Sequence, residues 1–221
     1  MKLVIQCAAT KNPTGPNAGF KSADNRSMRF VANPQLAPLS ATHAFAHPDD
    51  VASDGETWRQ RLLRYNLEAP DNPQGLLPAS KLYSNPAYES LVRKFGPEQI
   101  FILSAGWGLI PSTFLTPDYD ITFSGAPNVA PHCRRKKGDA YADSCLLQDD
   151  GEPISFLGGK DYLPLFCKLT APLRATKKVF FNSSVAPTLG SGFTTERFPT
   201  SRRTNWHYGC ADDIVAERVR A

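Results

Sequence analysis

A chain of 221 residues is long enough for one sizeable α/β domain, or for a domain carrying a long insertion. With 41% hydrophobic and 21% charged residues it has a globular composition, neither disordered nor fibrous, and its net charge of +4 permits a nucleic-acid partner without demanding one. No apolar run approaches the roughly 18 residues needed to cross a membrane. Met1-Lys2 runs straight into a strand, so no secretory leader is expected. The odd count of five cysteines then fits reduced thiols in a cytoplasm.

Leu3 to Cys7 is expected to form the first buried strand, from its Val/Ile content. Ala8 to Ala23 follows as a polar loop punctuated by Pro13, Gly15, Pro16 and Gly19. An ordered, irregular insertion is expected over about 12–53, with short strands within 25–53; a stretch this long inside a compact domain is often functional. Asp54 to Glu68 is predicted as a helix capped by Ser53 or Asp54, with Trp58, Leu62 and Tyr65 on its apolar stripe. Pro86 to Phe95 is a second helix, with proline at its start and Gly96-Pro97 at its end. Ile100 to Ser104 is the next strand. A polar excursion follows over about 124–155, then a helix over 161–171, a strand over 177–181, a short strand over 195–198 and a terminal helix over 212–220. Strands alternating with helices predict a single α/β domain with a mainly parallel sheet, and ligands in such folds bind outside the carboxyl ends of the strands. Three such ends carry polar or small residues: Gln6-Cys7, Ser104-Ala105 and Asn182-Ser183.

The most informative stretch is Leu103-Ser-Ala-Gly-Trp-Gly-Leu-Ile-Pro111, followed by Pro117-Asp-Tyr-Asp-Ile-Thr-Phe123. A strand breaks there into a glycine-bracketed turn and then a loop with two carboxylates and a phenol. Together with Leu3-Val-Ile-Gln-Cys-Ala-Ala-Thr-Lys11 and Lys81-Leu-Tyr-Ser-Asn-Pro-Ala-Tyr88, in that order, this resembles the YaaA-like superfamily of prokaryotic proteins. The match covers about half the chain, in blocks. The resemblance implies DNA binding and is compatible with defence-type DNA glycosylases that excise modified bases from phage DNA, on a core similar to that of uracil-DNA glycosylases.

In that light Asp120 is the first candidate for catalysis. A carboxylate can orient water and stabilise positive charge on the sugar as a base departs, and Asp120 leads into the alternating Ile121-Thr122-Phe123, which would hold it. Asp118 is a second candidate, although either aspartate could simply terminate a turn. Asn182, at a strand end, offers a donor and an acceptor to a base or a water, or caps a turn. Gln6, Cys7, Lys11, Ser104 and Ser183 are candidate pocket residues. Tyr83, Trp107 and Tyr119 could stack an extruded base, or could be core aromatics. Arg134, Arg135, Lys136 and Lys137 form a basic run, and Arg202, Arg203, Trp206 and His207 interleave cations with aromatics, a pairing suited to phosphate docking and a stacking wedge. A solvated charged surface is the alternative for the first cluster.

Other chemistries find no pattern. Gly158-Gly-Lys-Asp161 is not a phosphate loop, since Ile154 stands where its first glycine belongs and Asp161 replaces Ser/Thr. There is no Gly-x-Ser-x-Gly elbow and no GxGxxG after a strand. His132, Cys133 and Cys145 lack zinc spacing. The expectation is therefore a cofactor-free, metal-independent DNA glycosylase with no obligate protein partner. A non-catalytic DNA-binding stress protein and a nucleoside or nucleotide hydrolase are the alternatives.

Overall fold

The computed structural model describes residues 1–15 and 17–221; Pro16, expected in the polar loop after the first strand, lies outside the described residues. Strand β1 (Lys2–Gln6) is followed by an insertion holding β2 (Ser27–Val31) and β3 (His43–Ala46). Helix α1 (Trp58–Glu68) begins at Thr57, whose side chain accepts from the Gln60 N–H while the Gln60 side chain accepts from the Thr57 N–H. This reciprocal capping box displaces the cap expected at Ser53 or Asp54. Then come β4 (Leu77–Pro78), the single-turn α2 (Ala79–Leu82) and α3 (Ala87–Phe95), which ends at Gly96 with φ +88°.

Strand β5 (Ile100–Ser104) turns back into β6 (Gly108–Pro111). The reversal needs Gly108: its φ is +86°, and a Cβ there would collide with the backbone of Ser144. The short β7 (Leu115–Thr116), β8 (Tyr119–Asp120) and β9 (Ser144–Cys145) lead to β10 (Ile154–Leu157), an unexpected strand that overlaps the end of the polar excursion. Helix α4 (Leu163–Thr170), β11 (Lys177–Phe181), β12 (Phe193–Arg197) and α5 (Trp206–Val215) complete the chain. The terminal helix thus starts six residues before its expected position.

Seven strands form the main sheet in the order β12-β11-β10-β1-β5-β6-β9. The first five are mutually parallel, and β6 pairs antiparallel with β5. Leu3, Val4 and Ile5 of β1 and Ile102 and Leu103 of β5 are wholly buried, as expected of central strands covered on both sides. Helices α3 and α5 pack side by side. Helix α4 forms a separate contact, with Phe166 stacked on Phe156 of β10 at a centroid distance of 4.4 Å.

The insertion is not loose. Its β2 sits between β3 and β8, parallel to both, so residues 27–31 are tied to the Tyr119-Asp120 segment nearly ninety positions on. No helix among the described residues is long and apolar enough to cross a membrane.

Candidate functional site

The order of the strands locates the site. From β1 the chain crosses to β5 on one side, whereas β10, on the other side of β1, leads away to β11. Connections that leave two neighbouring parallel strands in opposite directions open a crevice at their carboxyl ends. A cavity of about 840 Å³ lies there. Its wall includes Gln6 and Cys7 at the end of β1, Gly158 to Tyr162 after β10, and Asn182 and Ser183 after β11, and it is closed by residues 200–208.

The two strand ends that define the crevice are joined across it. The Gln6 Oε1 accepts from the Gly159 N–H at 2.6 Å, which leaves the Gln6 Nε2 as a donor. Asn182 is arranged the other way: its Nδ2 donates to the Arg202 carbonyl at 2.9 Å, leaving Oδ1 as an acceptor. Tyr162 supplies a nearly buried ring whose hydroxyl lies 3.2 Å from the Cys7 Sγ, and Phe123 meets that ring edge-on at 5.1 Å. Asp161 is the carboxylate of the wall, held by the Lys137 ammonium at 2.8 Å. Nothing in the sequence reading singled it out. The available signal was the apolar Ile154-Ser-Phe-Leu157 followed by two glycines, a strand end of the same kind as those at Gln6 and Asn182.

The residues gathered from the glycine-bracketed turn and its flanking blocks are elsewhere. None of Asp118, Asp120, Lys11, Tyr83, Ser104, Trp107 and Tyr119 lies in the cavity wall. Ser104 is fully buried; its Oγ donates to the Tyr119 hydroxyl at 2.8 Å and accepts from the N–H groups of Gly106 and Trp107. The Tyr119 hydroxyl lies 2.7 Å from that of Tyr83, and burial pushes both phenols well above their ordinary pKa. Trp107 is 2% exposed and packs edge-on to Phe30 and Tyr119. These aromatics are core, and no face is left free to stack a base. Lys11 sits over the Tyr119 ring at 4.5 Å. Asp118 is 3.8 Å from Arg29 in a half-exposed pair, and Asp120 adjoins the Cys133 thiol. Burial first, and then the Asp120 carboxylate, push that thiol up to about 12.

Two buried arginines explain why the turn after β5 is so ordered. Arg59 of α1 donates to the Gly106 carbonyl at 3.0 Å and pairs with Asp49. Arg135 donates to the Ala105 carbonyl at 2.6 Å, makes a two-pronged pair with Asp143 at 2.6 and 2.8 Å, and lies 3.5 Å over the Tyr141 ring. Burial opposes ionisation of Asp49, but the hydrogen bond and charge of Arg59 outweigh it and hold the carboxyl below its usual range.

The expected basic docking run is therefore corrected. Arg135 is 5% exposed and committed to Asp143. Arg134 spends its guanidinium on the carbonyls of Val129 and Ala126, closing its own loop. Lys137 pairs with Asp161, and Lys136 remains exposed. The second cluster divides. Arg202 and Arg203 are exposed at the cavity, whereas Trp206 is 3% and His207 1% exposed. Trp206 stacks on Phe198 and cannot serve as a wedge in this arrangement.

No family model matches the chain, and neither a curated protein nor a solved structure matches it.

Proposed function

We propose that the chain hydrolyses the N-glycosidic bond of a modified base in DNA, drawing one extruded nucleotide into the cavity between β1 and β10. The observation that carries the reading is a roomy cavity at the reversal point of a parallel sheet, with one free amide donor on Gln6 and one free amide acceptor on Asn182. A donor and an acceptor on opposite walls suit the edge of a base. The volume of about 840 Å³ exceeds what an unmodified base occupies and leaves room for a bulky substituent. Asp161 is the carboxylate placed to orient water and offset charge on the sugar, a role expected from the sequence of Asp120. Kinship with the YaaA-like superfamily, a glycosylase-type core and a place in prokaryotic antiviral defence belong to the same proposal and rest on the residues of the turn and its flanking blocks.

A second reading has one observation in its favour. Arg134 and Arg135 are committed within the fold, which removes two of the six cations expected to dock a polymer. With only Arg202, Arg203 and the exposed lysines left, a free nucleotide is the competing substrate. Incubation with modified and unmodified phage DNA, and separately with the corresponding free nucleotides, tests both. Released base and abasic sites from modified DNA are expected. Release from free nucleotides alone would favour the second reading, and no release from any substrate would overturn both.

A further inference from the structure

The cavity wall is uneven in charge. The Asp161 carboxylate is already balanced by Lys137. Residues 201–207 contribute Arg202 and Arg203, and neither makes an ion pair among the described residues. This segment runs directly into α5. Asn205, in the left-handed region at φ 57°, precedes the helix without capping it through its side chain. Among the described residues the N–H groups of Trp206 and His207 donate to no protein acceptor. One further polar group is stranded at the same place: His207, almost wholly buried in the cavity wall, has an Nε2 without a partner. Burial lowers its pKa to about 4, so at neutral pH the ring is uncharged and one of its nitrogens carries a proton. The Arg202 carbonyl, an acceptor in the same segment, takes the Asn182 amide. Unpaired guanidinium groups and open N–H groups at a helix start, above an uncharged buried ring, share one complement, an oxyanion bearing more than one acceptor.

We infer that this stretch of the cavity wall is a phosphate subsite, holding a phosphate of the nucleotide whose base reaches toward Gln6. The choice of a nucleotide rests on the proposed function; the anion itself does not.

Inorganic phosphate is titrated into the full chain, with the backbone amides followed by NMR and affinity by calorimetry. The Trp206 and His207 amides should shift saturably with phosphate and stay still with chloride at matched ionic strength. Arg202→Gln with Arg203→Gln, both at exposed positions, should weaken phosphate by about tenfold or more, the scale of losing hydrogen bonds to a charged group. Lys136→Gln, outside the cavity, should leave the affinity unchanged. Unmoved α5 amides, equal shifts with chloride, or wild-type affinity in the double variant would each overturn the subsite. Phosphate binding without base release from any substrate would keep the subsite and remove the hydrolase. Base release with no phosphate response would do the reverse.

Discussion

Replacing Arg135 by Gln tests whether the basic run serves the fold or a polymer. The guanidinium is 5% exposed, shares two hydrogen bonds with Asp143 and holds the Ala105 carbonyl. The Asp143 side chain is itself 1% exposed, so the substitution strands a buried carboxylate. Breaking a buried pair from one side costs about 3–5 kcal/mol, because the remaining charge loses its partner in a medium that solvates it poorly. In a chain of this size roughly 2–4 °C of melting temperature accompanies each kcal/mol, so a drop of about 6–20 °C is expected. Replacing both partners, Arg135→Met with Asp143→Leu, should recover part of that loss, since neither charge is then left buried. Thermal and urea unfolding of the three proteins, together with DNA binding at several salt concentrations, form the assay. A fully stable Arg135→Gln with a flattened salt dependence would refute the reasoning, because it would show the arginine spending its charge on phosphates.

Further expectations concern pH and packing. Burial depresses the pKa of His207 to about 4, so the folded state resists a proton that the unfolded chain accepts at its ordinary 6.5. The stability it supports is complete above pH 6.5 and declines as pH falls toward 4, by about 3 kcal/mol in all. His207→Gln should flatten the slope of urea stability over that window without removing it, since burial lowers His47 as well; an unchanged slope would contradict the assignment. Gly108→Ala should destabilise by more than 1 kcal/mol, as φ +86° and the nearby Ser144 backbone leave no place for a methyl group; a wild-type unfolding midpoint would show the turn to be adaptable. Thr57→Ala should cost about 1 kcal/mol through loss of the α1 cap, and an equal loss in Ser53→Ala would place the cap where the sequence suggested.

Where the sequence could be read, the signal was local. Short apolar runs between turns, Val/Ile-rich in β1 and β5 and Val-Phe-Phe in β11, gave those strands, and the Pro86 and Gly96 boundaries gave α3. Strand β10 escaped because four residues after Gly151-Glu-Pro153 look like the end of a polar excursion; its apolar residues were a short signal, and its pairing with β1 and β11 makes it a central strand. Trp206 and His207 suggested a docking surface because cations precede them. Yet Trp206, Cys210, Ala211 and Ile214 are all buried at helical spacing, and that periodicity was the better guide. The same ambiguity affected the arginines of residues 134–135: sequence shows a charge, not the carboxylate or carbonyl that a distant segment brings to meet it. At the site, Gln6, Cys7, Asn182 and Ser183 were legible as strand ends, and all four line the cavity. The signature turn was legible too, but its order serves packing: buried Arg59 and Arg135 hold its carbonyls, and Ser104 hydrogen-bonds to its N–H groups.

Base release from modified DNA by Asp161→Asn and Asp120→Asn, measured side by side, tests the central claim most directly. Asp161 lies in the cavity wall and Asp120 does not. Losing the water-orienting carboxylate should slow release by about 100- to 10,000-fold in Asp161→Asn, with unchanged unfolding. Asp120→Asn should stay within a few-fold of wild type. The opposite result, a silent Asp161→Asn beside an inactive but folded Asp120→Asn, would place the chemistry outside the crevice between β1 and β10.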